Sequence, residues 1–133
     1  MQQKLVLIRG LPGSGKSTIA RAMVGYEHVE ADMFFYLENP KVYAYDPSKV
    51  AKAHAWCQEQ THLHLEAGRS VVVANTFVLL GELTPYFEIA EYAGILPPAI
   101  IEARGNFSSI HGVPSKKIEE MRAKWEPLTK YFY

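Results

Sequence analysis

The stretch Gly10-Leu11-Pro12-Gly13-Ser14-Gly15-Lys16-Ser17-Thr18 decides how the rest of the chain is read. It satisfies G-x-x-x-x-G-K-[ST] and lies between an apolar run, Lys4-Leu5-Val6-Leu7-Ile8, and an expected helix from Ser17 to Gly25. Glycines at this spacing let the backbone fold into a nest whose N–H groups point at phosphate oxygens. The helix that follows adds the positive end of its dipole. The motif therefore predicts that Gly10, Pro12, Gly13, Ser14, Gly15, Lys16, Ser17 and Thr18 hold the phosphates of a nucleoside triphosphate. Lys16 would reach the β- and γ-phosphates as a point charge, and the Ser17 hydroxyl would be a Mg²⁺ ligand.

The chain has 133 residues, 48% of them hydrophobic, enough for one domain spanning 1–133 with a real core. Fourteen basic and fourteen acidic side chains cancel. No global field then draws the protein to nucleic acid or to an anionic membrane, and a polynucleotide substrate would need a local basic patch. A single cysteine, Cys57, excludes an internal disulfide and argues for a reducing compartment, most simply the cytoplasm. With no Cys-x-x-Cys partner it reads as a small buried apolar group. No apolar run approaches about eighteen residues and no signal-peptide pattern precedes the first strand, so a soluble protein without a membrane partner is expected.

Beyond the first helix, Glu27-His28-Val29-Glu30-Ala31 reads as a short strand ending at Asp32, with Val29 and Ala31 facing one way and Glu30 between them. Met33 to Tyr45 is aromatic and proline-punctuated, which suits a loop or short helix packed over a site. Asp46-Pro47 announces a helix to about Ala67, stopped by Gly68, with Val50, Ala53, Cys57, Thr61 and Leu65 as its inward stripe. Arg69 to Ala74 reads as a central parallel strand, with Asn75 and Thr76 at its carboxyl end. A helix over Gly81–Ala93, a strand over Ala99–Ala103, a loop from Arg104 to Pro114 and a last helix from Ser115 to Glu126 complete the chain, followed by an aromatic tail, Tyr131-Phe132-Tyr133. This alternation of strand and helix predicts an α/β fold: a three-layer sandwich with a parallel sheet of about four to five strands. Ligands then collect at the carboxyl ends of the strands, where Asp32, Asn75, Thr76 and Arg104 lie on the same rim as the glycine-rich loop.

The order of parts resembles the adenylate-kinase-like P-loop phosphotransferases, and among them the polynucleotide kinase of T-even phages and short AAA-type ATPases. The residues that carry the resemblance are Gly10 to Thr18 with Arg21 after it, Asp32, Asn75-Thr76, and His111-Gly112-Val113-Pro114 followed by Ile118, Met121 and Trp125-Glu126. It implies ATP and Mg²⁺ as ligands and places the role of general base on Asp32, which would take the proton of an attacking hydroxyl. Two departures stand out. Asn75 replaces an expected carboxylate and Ala74 offers no Walker-B one, so Mg²⁺ would rest on Ser17, phosphates, water and Asp32. The lid is reduced as well, leaving Arg104, Arg122 or Lys124 to stabilise the transferring phosphoryl.

The remaining candidates read as structural. His62 and His64 diverge on their helix, His54 is expected to pack in the core, and His111 to fix its turn. Trp56 and Trp125 are expected to pack, leaving the aromatics from Phe34 to Tyr45 as the better acceptor pocket. The leading function is phosphoryl transfer from Mg·ATP to a nucleic-acid 5′-hydroxyl or to a small molecule. The Tyr-bearing loop after Asp32 also looks like zeta-toxin and antibiotic-kinase arrangements. The alternative is an ATP-binding switch or weak ATPase acting through a protein partner. A lid arginine donated by a second copy would make the protein a homo-oligomer.

Overall fold

Alternation of side chains along the central strands sets the layering. In the computed structural model, which describes residues 2–107 and 111–129, four strands pair in parallel. They are β1 (Leu5–Arg9), β2 (Tyr26–Val29), β3 (Ser70–Asn75) and β4 (Ala99–Glu102), in the spatial order β2-β3-β1-β4. The helices are α1 (Lys16–Arg21), α2 (Val50–Glu66), α3 (Thr84–Ala93) and α4 (Ser115–Lys124). The tail Tyr131–Tyr133 and the Ser108–Ile110 part of the expected loop lie outside the described residues.

Leu5, Leu7, Val71 and Val73 point to one face and pack with Ala53, Cys57 and Leu65 of α2 and Tyr86 and Ala90 of α3. Val6, Ile8, Val72 and Ala74 point to the other, where Ala20 and Ile19 of α1 cover them. Each strand position thus has a helix side assigned by its parity, as a parallel sheet buried on both faces requires. The stripe expected on α2 is present: Ala53, Cys57, Thr61 and Leu65 are buried, and Val50 packs at the edge of the cluster. Burial pushes the Cys57 thiol pKa up, leaving it a packing group rather than a reactive one.

The helix expected from Asp46-Pro47 opens as a 3-10 turn, Pro47–Lys49, before α2, and other elements also differ from expectation. α1 ends at Arg21 rather than Gly25, because the chain turns through Gly25 (φ 85°) to enter the edge strand β2. β2 stops at Val29, and a 3-10 helix, Ala31–Tyr36, replaces its expected last residues. The helix expected over Gly81–Ala93 divides into a 3-10 turn, Leu80–Glu82, and α3, with Pro85 in its first turn and Gly94 (φ 73°) as its left-handed cap.

A buried cation fastens the end of the chain to the sheet. The Arg9 side chain, at the end of β1, is fully buried. Its Nη2 donates to the carbonyls of Phe77 (2.7 Å) and Glu126 (2.8 Å), its Nη1 pairs with Glu102 at 3.3 Å, and its guanidinium lies 3.9 Å from the centre of the Trp125 ring. A charge in such a place needs a full set of partners, and Arg9 draws them from β4, the segment after β3 and the segment after α4. The result is that α4 is anchored over the carboxyl rim of the sheet.

Candidate active site

The glycine-rich loop forms the first wall of a hollow of about 690 Å³ on that rim. Gly13 (φ 81°) and Gly15 (φ 95°) take the left-handed conformation that turns successive N–H groups the same way. Among the described residues, the backbone N–H groups of Gly15, Lys16, Ser17 and Thr18 meet no acceptor within the chain. The loop is fixed from beneath by Gly105 N–H donating to the Ser14 carbonyl (2.9 Å) and Phe107 N–H to the Gly13 carbonyl (2.7 Å). Pro12, Gly13, Gly15, Lys16, Ser17 and Thr18 line the hollow. Gly10 and Ser14 lie underneath: a Cβ on Gly10 would come 2.8 Å from the Ala103 carbonyl, and the buried Ser14 hydroxyl faces Gly10. The Lys16 ammonium donates to the Leu11 carbonyl at 3.0 Å. Burial lowers its pKa, and the opposite charges of Glu30 and Asp32 resist that fall.

At the end of β2 the chain presents two carboxylates in different directions. The Ala31 N–H donates to Asn75 Oδ1 at 2.9 Å, so an amide side chain carries the β2–β3 pairing one step past the strand. Val29 and Ala31 face α2, which by parity turns Glu30 toward α1. Glu30 is buried there: its Oε2 is 2.5 Å from His28 Nε2, and the Ser17 hydroxyl and Lys16 are its other neighbours. Burial alone would raise its pKa, but the hydrogen bonds from His28 and Ser17, with the charges of His28 and Lys16, hold it below the usual carboxylate range. Strict alternation would send Asp32 the same way. The 3-10 helix redirects it, and Asp32 instead accepts the Tyr43 O–H on Oδ1 at 2.8 Å and faces His111 Nε2 across 3.5 Å on Oδ2.

Aromatic side chains make the opposite wall. The His111 ring stacks on Tyr43 with centroids 4.2 Å apart, Tyr43 stacks on Tyr45 at 6.0 Å, and Phe35 meets both tyrosines edge-on. His54, Lys117 and Met121 complete it. The aromatics expected after Asp32 are therefore in place. His54 corrects the expectation of a core position, because the first turns of α2 open onto the hollow, and His111 does more than fix its turn. Asn75 and Thr76 also line the hollow, although the Asn75 amide is engaged with Ala31 and, at 3.6 Å, with Cys57 Sγ.

Neither arginine nominated from the sequence enters this space. Arg104, 83% exposed, is held 2.7 Å from Glu102, and Arg122 pairs with Glu119 at 3.3 Å, so each is satisfied by a carboxylate two or three residues away. The cations that do line the hollow besides Lys16 are Arg21 and Lys117. Glu30 was legible only as an alternating strand residue; an acidic residue between two apolar ones near a strand's carboxyl end is the signal that could have marked it. The oxygens of Ser17 and Glu30 form a hard donor pair, which fits Mg²⁺ shared with phosphates, whereas the Asp32 oxygens are engaged by Tyr43 and His111.

A phosphate-binding loop between the first strand and helix of a parallel sheet, with helices on both faces, defines a P-loop NTPase of the kinase-like kind. Comparison with known sequences narrows this. The chain belongs to the AAA domain family, whose pattern matches residues 5–104. It is similar to NEDD4-binding protein 2 of Homo sapiens, 33% identical over 92 residues, which cover 65% of this chain and 5% of that protein. Among solved structures, a gluconokinase from Sinorhizobium meliloti 1021 superposes with a TM-score of 0.62 at 18% identity, covering 94% of this chain and 75% of that one. A chain of the Pnkp1/Rnl/Hen1 complex gives 0.59 at 20% identity, over 97% of this chain and 42% of that one. At such identities the structures share the fold. Among the described residues, no helix is long and apolar enough to cross a membrane.

Proposed function

We propose that the protein transfers the γ-phosphoryl group of Mg·ATP to a hydroxyl of an acceptor bound against the aromatic wall. The observation that carries this reading is that Lys16 and Asp32 face a single hollow, the one among the phosphate-binding loop and the other among Tyr43, Tyr45 and His111. Lys16 and the loop amides hold the β- and γ-oxygens. Asp32 accepts the proton of the acceptor hydroxyl as its oxygen bonds to the γ-phosphorus and the bond to the bridging oxygen breaks, releasing ADP. Mg²⁺, when bound with ATP, would neutralise charge that builds on the phosphate oxygens. Ser17 is its expected hydroxyl ligand. Arg21 and Lys117 are the side chains placed to meet charge on the transferring group.

A small hydroxylated molecule suits the hollow better than a polynucleotide end. The chain is neutral overall, whereas strand binding relies on a surplus of cations, and the acceptor wall is aromatic. Both classes occur among proteins of this fold, one a gluconokinase and another part of an RNA repair complex. A single free and buried cysteine fits the cytoplasm. The test is incubation of the protein with γ-labelled ATP and a panel of sugars, nucleosides and 5′-hydroxyl oligonucleotides. Label should pass to one class, and Asp32→Asn should slow that transfer by about 10²- to 10⁴-fold. No labelled acceptor, together with ATP hydrolysis unchanged in Asp32→Asn, would reject the kinase reading. The second reading, an ATP-binding switch, is favoured by one observation: Ala74 stands at the end of β3 where a carboxylate would assist catalysis. Tight Mg·ATP binding without turnover, and a partner retained in its presence, would support it.

A further inference from the structure

The two carboxylates after β2 are separated by one residue and keep different company. Asp32 has a 43% exposed side chain whose oxygens are taken up by Tyr43 and His111. Glu30 is 9% exposed and sits against the Ser17 hydroxyl and near the Lys16 ammonium, with His28 clasping it from behind. Phosphoryl-transfer enzymes with this loop hold Mg²⁺ through its Ser or Thr and a carboxylate on a neighbouring strand. The end of β3, which borders β1, offers Ala74 and Asn75, and neither has a carboxylate.

We propose that Glu30 is the carboxylate that holds the Mg²⁺ of Mg·ATP beside Ser17, supplied from β2 because β3 lacks one. Parity of the strand turns Glu30 to the α1 face, where Ser17 lies in the first turn of that helix, while the 3-10 helix turns Asp32 away from it. A buried carboxylate oriented by a histidine on one side and open to a hydroxyl on the other is how metal ligands are held. Oxygen donors from one carboxylate and one hydroxyl, completed by phosphates and water, are what Mg²⁺ takes in nucleotide sites. Metal and proton transfer are thereby divided between Glu30 and Asp32.

This inference rests on the nucleotide-binding part of the proposed function and not on phosphoryl transfer, so it is tested by binding. ATP affinity is measured calorimetrically in excess MgCl₂ and in EDTA. Wild type should bind more tightly with Mg²⁺. Glu30→Gln should keep its affinity in EDTA and lose at least about tenfold of the Mg²⁺-dependent gain, whereas Asp32→Asn should keep that gain. A full gain in Glu30→Gln, or its loss in Asp32→Asn, overturns the assignment alone. No ATP binding in either buffer overturns both the assignment and the reading beneath it. Because Glu30→Gln removes a charge that His28 and Lys16 both face, a second measurement uses the wild-type chain. Mn²⁺ replaces Mg²⁺ with ATP, and the protein carries ¹³C-carboxyl glutamate in one sample and ¹³C-carboxyl aspartate in another. Electron–nuclear double resonance should show hyperfine coupling from glutamate and none from aspartate. Coupling from aspartate, or from neither, overturns it.

Discussion

Across the hollow, the wall from Gly10 to Thr18 and the wall made by Phe35, Tyr43, Tyr45 and His111 are built of different material. The first presents backbone N–H groups and is pinned by main-chain hydrogen bonds from Gly105 and Phe107, with a glycine, Gly10, where a Cβ cannot fit. The second presents ring faces and edges brought together from a 3-10 helix, the segment before α2 and the segment before α4. A backbone wall is specific for the ligand that all such proteins share, the phosphate chain, and tolerates almost no change. A side-chain wall can be altered one residue at a time without disturbing the phosphates, which is why the proposed function puts acceptor choice there.

The most severe break in this contrast is Gly10→Ala. The new Cβ would press on the Ala103 carbonyl at 2.8 Å, a backbone atom that cannot swing aside. Thermal unfolding should show a loss of about 1–3 kcal/mol, accompanied by weakened ATP binding. An alanine variant with wild-type stability and affinity would mean that the wall is not held by close backbone contact.

Next in size is Tyr43→Phe, which removes the hydroxyl donated to Asp32 and keeps the ring that stacks on His111. Burial and the Asp32 carboxylate both raise the Tyr43 pKa, so the hydroxyl remains a donor at any working pH. Turnover should fall about tenfold, the worth of one hydrogen bond, with ATP affinity unchanged. Equal losses in turnover and ATP affinity would contradict the separation of the walls.

The smallest effect belongs to the support of the aromatic wall. The Asp46 carboxylate accepts from the Ser48 hydroxyl (2.7 Å) and backbone N–H (3.0 Å) at the entrance to α2, and these bonds lower its pKa. A carboxylate with a depressed folded pKa contributes stability above its unfolded value of 3.8, and that contribution is lost as pH falls through the lower folded one. Asp46→Ala should therefore lower the melting temperature slightly at pH 7, and the difference should vanish in strong acid. A difference that persists there would assign the effect to something other than the cap.

The asymmetry between the walls also explains what was legible beforehand. The loop from Gly10 to Thr18 can be read residue by residue because its geometry is local and backbone-determined, and the α2 stripe because helical spacing is local too. Asp32 was nominated from its position after a strand and from the resemblance, and the structure puts it on the wall of the hollow beside Tyr43. Glu30 was not, since the role proposed for it depends on Ser17, thirteen positions earlier in sequence and adjacent only across the β2–β3–β1 order. Arg104 and Arg122 were nominated by proximity along the chain, yet Glu102 and Glu119 hold them outside the hollow. His111 and Arg9 were missed as a site residue and an anchor for the same reason: their partners, Tyr43 and Asp32 for one and Trp125 and Glu126 for the other, are distant in sequence.

The account depends most on the grip that the first wall has on a triphosphate. Titrating the purified protein with Mg·ATP, alongside Lys16→Ala, tests it most directly. Wild type should bind, and removing the half-buried ammonium should weaken binding about a hundredfold or more. Undetectable binding to the wild type, or equal affinity in the two proteins, would contradict it.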